Sequence, residues 1–292
     1  MTANRVFRMV HDFATSRRQA SAPPLPRSMA CDCPVDDCGR RIVYHADPDI
    51  AAPPLHASGE VQVWWIPLDG AAQPAREDAG LLDADERARA QRFVYPRHRA
   101  RYVQAHAALR RILAACCGSG ADGIALQRDP NGRPELAPPH DHITFNLSHA
   151  DDWAVIAVMD ARQGWVGVDV EPIAGADARA AELASTVLDT DERRQFDALP
   201  AAARGAAFIT AWTRKEAVLK ATGWGLRIPP DTLHTGILPD ATRTILPGHL
   251  PICTPVRLQP LAAPPGHVAS IAILPPSAPA PTAAQPRAFP HA

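Results

Sequence analysis

The order of secondary-structure signals in the sequence predicts an α+β fold made of two similar halves. A strand-like segment at residues 61–68 is followed by helical segments that end at Gly118, and then by a pair of strand-like runs. The same succession returns after residue 165, with one strand, three helical segments and further strands toward residue 274. Because strands and helices do not alternate one by one, two α+β units fit better than a regularly alternating parallel sheet.

The first half shows a local signal for each element. The segment "VQVWWIPL" is rich in β-branched and aromatic residues, which predicts a strand. Asp83 is suited to cap a helix, Pro96 separates two helical segments, and Gly118 ends the second. The segment "ITFNLSHADDWAVIAVM" predicts two strands around a polar turn, with Ser148 and His149 in the turn.

The second half opens with "WVGVDVEPI", a strand-like run that Pro172 ends. Helical periodicity follows, and three further strands would complete a second sheet. The expected helices lie near residues 177–188, 189–199 and 203–222, and the expected strands near 232–238, 254–261 and 267–274.

The two ends of the chain are expected to lie outside the folded unit. The first 58 residues show no sustained hydrophobic periodicity and contain the segments "SAPPLPRS" and "DPDIAAPPLH". The last residues, "PPSAPAPTAAQPRAFPHA", are rich in Pro and Ala. Such compositions are typical of disordered segments. We therefore predict a disordered extension at 1–58, an N-terminal half at 59–164, a C-terminal half at 165–275 and a disordered tail at 276–292.

Charge and hydropathy narrow the class of partner. The chain has 292 residues, a formal net charge of -1 and a pI near 6.9, so no global field would recruit nucleic acid or an acidic membrane. No run reaches the ~18–20 apolar residues of a membrane span, and the N-terminus lacks the apolar core of a secretory signal. We expect a cytoplasmic protein with no nucleic-acid or membrane partner.

Three cysteines stand close together in "CDCPVDDC", with His45 a few residues later. Their spacing matches none of the usual paired-ligand patterns of zinc sites, so an inert loop is the stronger interpretation. In a cytoplasmic chain all six cysteines are expected to be reduced. The six are Cys31, Cys33, Cys38, Cys116, Cys117 and Cys253.

Two acidic residues share one face of the strand in "VGVDVEPI". Asp169 and Glu171 are two positions apart, so both side chains leave the same face while Val168 and Val170 point to the other. Adjacent like charges are unfavourable unless a cation lies between them, and Mg²⁺ typically takes carboxylates together with phosphate oxygens. A solvated face with weak repulsion is the alternative, and the apolar flanking residues favour the metal.

The segment "FITAWTRKEAVLKATGWGL" places charged residues on or beside an apolar helical stripe. Trp212, Glu216 and Lys220 lie along one side of the helix, and Lys215 lies one step round from it. A Glu216 to Lys220 surface pair, of about 0.2–0.5 kcal/mol, is one interpretation. A functional site at the edge of a packed surface is the other, and the helix alone does not decide between them.

Candidate anion ligands are scattered through the first half. The segment "FNLSHADD" offers Asn146, Ser148 and His149; a lone histidine is more often structural, but it could also hold an anion. No G-x-S-x-G motif supports serine hydrolysis. Most arginines are expected to be solvated, while some could supply the forked donors that suit phosphate, and the turn "NGRP" would hold Arg133 at a loop tip.

Taken together, "FNLSH", "VGVDVEPI" and "WTRKEAVLKATGWGL" resemble the three ordered motifs of the 4′-phosphopantetheinyl transferases, specifically the large, surfactin-synthetase type of the holo-[acyl-carrier-protein] synthase superfamily. The resemblance covers roughly residues 60–275. It implies a monomer of two pseudo-twofold related halves with coenzyme A, the co-substrate, bound between them. The family transfers the phosphopantetheine arm to a serine of an acyl or peptidyl carrier protein, from fatty acid, polyketide or nonribosomal peptide synthesis, and releases 3′,5′-ADP.

The resemblance also implies a metal site and its chemistry. Asp169, Glu171 and Glu216 would hold Mg²⁺, for which Mn²⁺ could substitute, against the pyrophosphate. Glu216 would also deprotonate the carrier serine, directly or through water, and Lys215 would stabilise charge near the transferring group.

Further residues would bind coenzyme A if the resemblance holds. Lys220 and His149 would contact the phosphates, with Ser148 beside them. This sequence has arginines before the first motif where the family type often has lysines, and three of them are assigned to the nucleotide and its 3′-phosphate: Arg89, Arg101 and Arg133.

Two other functions use the same residues. A metal-dependent phosphohydrolase would direct water instead of a serine, and would release phosphate without a carrier. A degenerate carrier-binding module would keep the fold without the reaction, but it would have no reason to retain Asp169, Glu171, Glu216 and Lys220 where burial makes charge costly.

Overall fold

The computed structural model describes residues 41–45, 60–68, 75–238, 243–246, 248 and 250–276. Most of the extension predicted at 1–58 and of the tail predicted at 276–292 lies outside these residues. The described helices are α1 Arg76–Leu81, α2 Ala84–Ala90, α3 Pro96–Cys117, α4 Ala176–Val187, α5 Thr190–Ala198 and α6 Ala201–Thr222. The described strands are β1 Ile42–His45, β2 Val61–Pro67, β3 Leu126–Arg128, β4 Pro134–Leu136, β5 Ile143–Ala150, β6 Trp153–Asp160, β7 Trp165–Pro172, β8 Arg243–Ile245, β9 Val256–Leu261 and β10 His267–Leu274.

The strands form two four-stranded sheets and a short hairpin. The first sheet has the order β1-β2-β6-β5 and the second the order β7-β10-β9-β8, while β3 and β4 pair only with each other. In both large sheets the neighbouring strands are antiparallel except β1, which runs parallel to β2. None of the described helices is both long and apolar enough to cross a membrane.

The two sheets repeat one plan, which confirms the prediction of two similar α+β halves. In the first half β2 leads to α3 and then to the β5–β6 hairpin, and in the second half β7 leads to α6 and the β9–β10 hairpin. Each leading strand pairs with the second strand of its hairpin, and α3 and α6 both contain 22 residues. The repeat makes β7 and α6 the counterparts of β2 and α3.

The core lies in layers between and outside the sheets. One face of each sheet contributes to a shared apolar cluster that includes Val63, Val155, Val168 and Ile271. The other face of the first sheet packs against α3, and the other face of the second sheet packs against α6. The sequence alternation of β7 therefore gives the valines to the shared core and the acidic residues to α6.

Local capping signals explain where α2 begins and where the two long helices, α3 and α6, end. Asp83 caps α2 in a capping box with Glu86, and Gly118 ends α3 with a left-handed backbone (φ 64°), both as predicted. The helix α6 ends at Gly223, whose φ of 75° is likewise left-handed. The break after Thr222 thus follows from glycine at the position where other residues would be strained.

Helix α6 approaches β7 unusually closely at Gly167. A Cβ added there would lie 2.2 Å from the carbonyl oxygen of Ala217 and 2.4 Å from the amide nitrogen of Ala221. Because both atoms belong to the helix backbone, the contact cannot be relieved by a side-chain rotation. Only glycine at this position lets the helix lie directly on the strand.

We expect Gly167→Ala to lower the free energy of unfolding by about 1–3 kcal/mol, the usual cost of overpacking a rigid core. Urea titration followed by circular dichroism would measure the loss. The matched control is Gly80→Ala in α1, where nothing lies within 4 Å of the added methyl group. Equal stability of the two variants would contradict the close approach of α6 to β7.

Three parts of the predicted element order are wrong. The predicted strand at 232–238 is a 3-10 turn, Pro230–Thr232, followed by backbone whose amides at Thr235 and Gly236 donate to Glu192 instead of to a strand. Ser148 and His149, predicted in a turn, lie inside β5, and the turn is at 151–152. Ile42–His45 lies within the predicted disordered extension, but it forms β1. Its pairing with β2 and the burial of Ile42, which is 2% exposed, stabilise this strand.

Candidate active site

The candidate site lies where β5, β7 and α6 meet. Asp169 and Glu171 leave the face of β7 that is covered by α6, and each is only 1% exposed. The helix contributes Glu216, which is 5% exposed, and Lys220 one turn later. The site therefore joins one strand of the N-terminal half to a strand and a helix of the C-terminal half.

The β5–β7 junction is held by side chains of β5. Asn146 Oδ1 accepts a hydrogen bond from the backbone N–H of Val168 at 3.0 Å. Ser148 Oγ donates to Asp169 Oδ1 at 2.8 Å. These two residues are two positions apart on one face of β5, so the same strand face both fastens the halves together and reaches the site.

Lys220 is the cation at the centre of the site. Its Nζ donates to Asp169 Oδ1 at 2.7 Å, to Ser148 Oγ at 2.9 Å and to the carbonyl oxygen of Val168 at 3.1 Å. The Lys220 side chain is 24% exposed, whereas that of Asp169 is 2% exposed. The ammonium group therefore lies at the boundary between the buried carboxylates and solvent. Its position is set by Asp169, Ser148 and Val168, and not by the surface pair with Glu216 that the sequence offered as one interpretation.

Burial and mutual repulsion disturb the acidity of the three carboxylates. Loss of hydration raises the pKa of Asp169 above its ordinary value of 3.8. Burial and the negative charge of Asp169 raise the pKa of Glu171 to about 8. Burial raises the pKa of Glu216 to about 7, with an opposing effect from Lys220 and a smaller contribution from Asp169. A single ammonium group thus does not compensate three buried carboxylates.

The chemistry of the donor set suits a hard divalent cation, although among the described residues only Asp189, Glu192 and His234 bring three ligand atoms within 4.8 Å of one another. Asp169 Oδ2 and Glu216 Oε1 are buried and accept no hydrogen bond from any residue that the structure describes. Glu171 Oε1 accepts from Trp212 Nε1 at 3.1 Å, which fixes the direction of that carboxylate. Buried carboxylate oxygens without donors are costly unless a cation binds them, and Mg²⁺ prefers oxygen ligands of this kind.

The raised pKa values lead to a pH-dependent response to metal. Glu171 and Glu216 bind protons in the folded state up to pH values of about 8 and about 7, while their ordinary pKa is 4.5. In the metal-free protein these groups favour the folded state at low pH, and their contribution is lost as the pH rises through the raised values. A divalent cation would replace the protons.

We therefore expect the increase in melting temperature caused by Mg²⁺ to be larger at pH 8.5 than at pH 6.0. Differential scanning fluorimetry at several pH values, with EDTA as the reference, would measure it. The Asp169→Asn variant should show a reduced increase at both pH values. An increase that is the same at both pH values, or larger at pH 6.0, would contradict metal binding at these carboxylates.

Lys215 does not join the carboxylates, which corrects its predicted role near the transferring group. Its side chain is fully buried, and Nζ forms an ion pair with Glu192 at 2.6 Å. It also donates to the carbonyl oxygens of Pro230, at 2.9 Å, and Leu233. Neighbouring side chains on a helix point about 100° apart, so Lys215 and Glu216 contact different partners. Lys215 holds α6 to α5 and to the segment after α6.

His149 is not brought into the carboxylate cluster either. It is half-buried in β5, next to Ser148, and strand alternation directs it to the opposite face from Ser148. The sequence did not distinguish the two positions because it placed both in a turn.

The three candidate arginines occupy different places. Arg101 forms an ion pair with Asp152 in the β5–β6 turn. The guanidinium of Arg89 lies 5.9 Å from the ring centre of Tyr102. Arg133 is not at an open loop tip, because its side chain is engaged by the C-terminal half.

Arg133 connects the β3–β4 hairpin to the end of α6. Its guanidinium stacks 3.7 Å from the ring centre of Trp165, donates to the carbonyl oxygen of Ala221 at 3.3 Å and forms an ion pair with Glu135 at 3.0 Å. Arg227 extends the connection by donating to Asn131 Oδ1 at 2.7 Å. The hairpin was missed in the sequence because its strands have only three residues each.

Another group of possible metal ligands lies at the start of α5, where Glu192 is buried, Asp189 is half-buried and His234 is exposed. Oxygen or nitrogen atoms of Asp189, Glu192 and His234 approach within 4.8 Å of one another. Glu192 already binds Lys215 and the amides of Thr235 and Gly236, and Asp189 binds His234 at 2.7 Å. The atoms of this group are satisfied by protein partners, in contrast to those of Asp169 and Glu216.

The fold and the site define a two-half α+β protein with a carboxylate and lysine cluster at the junction of the halves. A family model described as "4'-phosphopantetheinyl transferase superfamily" matches residues 165–272, and one described as "4'-phosphopantetheinyl transferase, N-terminal" matches residues 67–161.

Several relatives with the name 4'-phosphopantetheinyl transferase are similar to this chain. The chain is 34% identical over 171 residues to the 4'-phosphopantetheinyl transferase HetI of Nostoc sp., covering 58% of this chain and 71% of the relative. It is 31% identical over 175 residues to the 4'-phosphopantetheinyl transferase psf-1 of Bacillus pumilus, covering 59% and 72%. It is 25% identical over 195 residues to the 4'-phosphopantetheinyl transferase of Bacillus subtilis, covering 65% and 84%. The chain belongs to the 4′-phosphopantetheinyl transferase superfamily, as the three motifs indicated.

Proposed function

We propose that this protein transfers the 4′-phosphopantetheine arm of coenzyme A to a serine of an acyl or peptidyl carrier protein, with Mg²⁺, and releases 3′,5′-ADP. The observation that carries the proposal is the contact of Lys220 with both Asp169 and Ser148, beside buried carboxylate oxygens that have no donor among the residues the structure describes. Phosphoryl transfer needs charge neutralisation around the phosphates and a nearby proton acceptor, and this cluster offers both.

Asp169, Glu171 and Glu216 are the residues that would hold the metal. Mg²⁺, or Mn²⁺ in its place, would supply positive charge. That charge stabilises the negative charge that builds up on the pyrophosphate oxygens when a phosphorus–oxygen bond breaks. Trp212 supports the site by fixing Glu171 through its indole N–H. The junction between residues 59–164 and 165–275, which we propose as the two halves, would then form the floor of the coenzyme A cleft.

The proton and the leaving group follow from the same residues. Glu216 takes the hydroxyl proton of the carrier serine, directly or through one water. The serine oxygen forms a bond to the β-phosphorus, and the bond from that phosphorus to the bridging oxygen breaks. 3′,5′-ADP leaves with the electron pair, while the Lys220 ammonium stabilises negative charge on the phosphate oxygens.

The remaining binding roles are assigned by motif. Ser148 and His149 would contact phosphate from opposite faces of β5. Arg89, Arg101 and Arg133 remain the proposed contacts of the nucleotide and its 3′-phosphate. For Arg101 and Arg133 this requires coenzyme A to compete with, or add to, the contacts with Asp152 and Trp165.

We propose a cytoplasmic monomer that meets two partners, coenzyme A and a carrier protein of fatty acid, polyketide or nonribosomal peptide synthesis. Neither nucleic acid nor a membrane is part of the proposed reaction, and the net charge of -1 supports this.

Intact-mass spectrometry of apo carrier proteins, incubated with this protein, coenzyme A and Mg²⁺, tests the proposal. The expected result is a gain of one phosphopantetheine group that EDTA prevents. Loss of coenzyme A without carrier modification would support a phosphohydrolase instead. Coenzyme A binding without any modification, across carriers of all three pathways, would support a degenerate carrier-binding module.

A further inference from the structure

A basic and apolar surface lies at the start of α3, on the N-terminal half. We define the 92–99 surface by Arg92, Val94, Tyr95, Arg97 and Arg99, all of which are exposed. Val94 is 86% exposed and Tyr95 is 61% exposed, although both are large apolar residues in adjacent positions. An exposed apolar pair of this kind marks an interaction site more often when a polar rim surrounds it, as three arginines do here.

The segment of sequence that carries this surface has charge of one sign, although Arg101, Arg110 and Arg111 pair with acidic residues of other segments. No aspartate or glutamate occurs between residues 87 and 121, whereas eight arginines do: Arg87, Arg89, Arg92, Arg97, Arg99, Arg101, Arg110 and Arg111. The chain as a whole has a net charge of -1, so this basic region is a local feature. Its partner should present carboxylates around an apolar ridge.

The 92–99 surface is connected to the candidate active site by a short series of contacts. Tyr95 packs edge-on against His98 at 5.7 Å, and Arg101 follows one turn later on α3. Arg101 pairs with Asp152 in the turn directly after β5. The strand β5 carries Ser148, which binds Asp169 and Lys220. A partner bound at this surface would therefore lie at the end of β5 that leads to the site.

The C-terminal half also exposes an apolar residue, at the end of β7. Ile173, directly after β7, is 41% exposed, and its backbone N–H is held by the carbonyl oxygen of Gly266 at 2.8 Å. β5 and β7 meet side by side, so the ends of both strands are close together.

We infer that the 92–99 surface is the docking site of the carrier protein, and that the carrier binds it through an acidic face with an apolar ridge. The inference rests on the proposed function, because it names the second substrate as the occupant. Val94 and Tyr95 are the apolar anchors, since aromatic residues in such positions carry much of the energy of protein interfaces. Arg92, Arg97 and Arg99 steer the acidic partner toward the site.

Two variants and two matched controls test the inference. Val94→Ser with Tyr95→Ser removes the anchors, and Arg92→Glu with Arg99→Glu reverses the charge. Leu246→Ser is the control for the anchors, because Leu246 is 70% exposed in the C-terminal half. Arg194→Glu on α5 is the control for charge, because its side chain is 75% exposed.

The readouts are the KM for an apo carrier, kcat, the dissociation constant of coenzyme A and the melting temperature. We expect the anchor variant to raise the carrier KM about tenfold or more, the usual effect of removing an interface hot spot, with kcat and coenzyme A binding little changed. The charge variant should lower kcat/KM for the carrier by a factor that shrinks as salt is added. Both controls should behave as the unaltered protein.

Different failures are distinguishable. If the unaltered protein modifies carriers and neither variant changes the carrier KM, the docking site is elsewhere. Weakened coenzyme A binding together with the carrier effect would make the surface part of the nucleotide site and overturn the inference. If the unaltered protein modifies no carrier, the proposed function fails and the inference falls with it.

Discussion

Replacing Glu216 with glutamine is expected to lower kcat for carrier modification by about 100-fold to 10,000-fold, the usual contribution of a general base. The amide keeps the size of the side chain but cannot accept the serine proton, and it is a weaker ligand for Mg²⁺. Glu216 Oε1 has no donor among the described residues, so the substitution breaks no hydrogen bond of that oxygen. Intact-mass kinetics would measure the loss, and calorimetry with coenzyme A should show binding that is mostly intact.

Lys220→Ala gives the contrasting result on the same helix. Lys220 is proposed to bind phosphate, so its removal should weaken coenzyme A binding as well as transfer. It also removes the ammonium that binds Asp169 at 2.7 Å. Normal turnover in Glu216→Gln would disprove the role of Glu216 as base, and normal coenzyme A affinity in Lys220→Ala would disprove the phosphate contact.

The Lys215→Met variant is expected to lose about 3–5 kcal/mol of folding stability, the cost of leaving a buried charge without its partner. Glu192 and Lys215 both have fully buried side chains, and their ion pair is 2.6 Å long. Methionine fills a similar volume but leaves the Glu192 carboxylate facing the amides of Thr235 and Gly236 alone. Urea unfolding would measure the loss.

A second substitution separates charge from packing. Glu192→Gln in the Lys215→Met background removes the unpaired charge, so the double variant should be more stable than Lys215→Met alone. At a temperature where Lys215→Met is folded, its kcat should stay close to that of the unaltered protein. A fully stable variant with greatly reduced kcat would instead restore the catalytic role that the sequence suggested for Lys215.

The sequence was informative where the spacing of residues along one strand or helix determines the directions of their side chains. The two-residue spacing of Asp169 and Glu171 placed both on one face of β7, and the four-residue spacing of Glu216 and Lys220 placed both near that face. The capping residue Asp83 and the stop at Gly118 likewise act within one or two helical turns. Such features depend only on the geometry of a single strand or helix, so the order of the residues is enough to predict them.

Contacts between distant segments set the surroundings of the candidate residues, and the sequence does not show them. Lys215 lies beside Glu216 in the sequence, yet its partner Glu192 comes from another helix, and only the capping box of α5 marked that residue. His149 was assigned with Ser148 because a turn, unlike a strand, does not separate neighbours onto opposite faces. Arg133 looked available for a ligand until the hairpin brought it against Trp165.

The strand β1 protects one edge of the first sheet. It covers the edge of β2 along Ile42–His45, and Tyr44 Oη accepts a hydrogen bond at 3.4 Å from the amide of Ala262, just after β9. A few residues from far upstream thus close a sheet of the first half and touch the second. A version shortened to Glu60 would present the bare edge of β2 as a template for strands of other molecules. A shortened version of the protein should therefore keep the residues from Arg41 onward, although the family resemblance starts near residue 60.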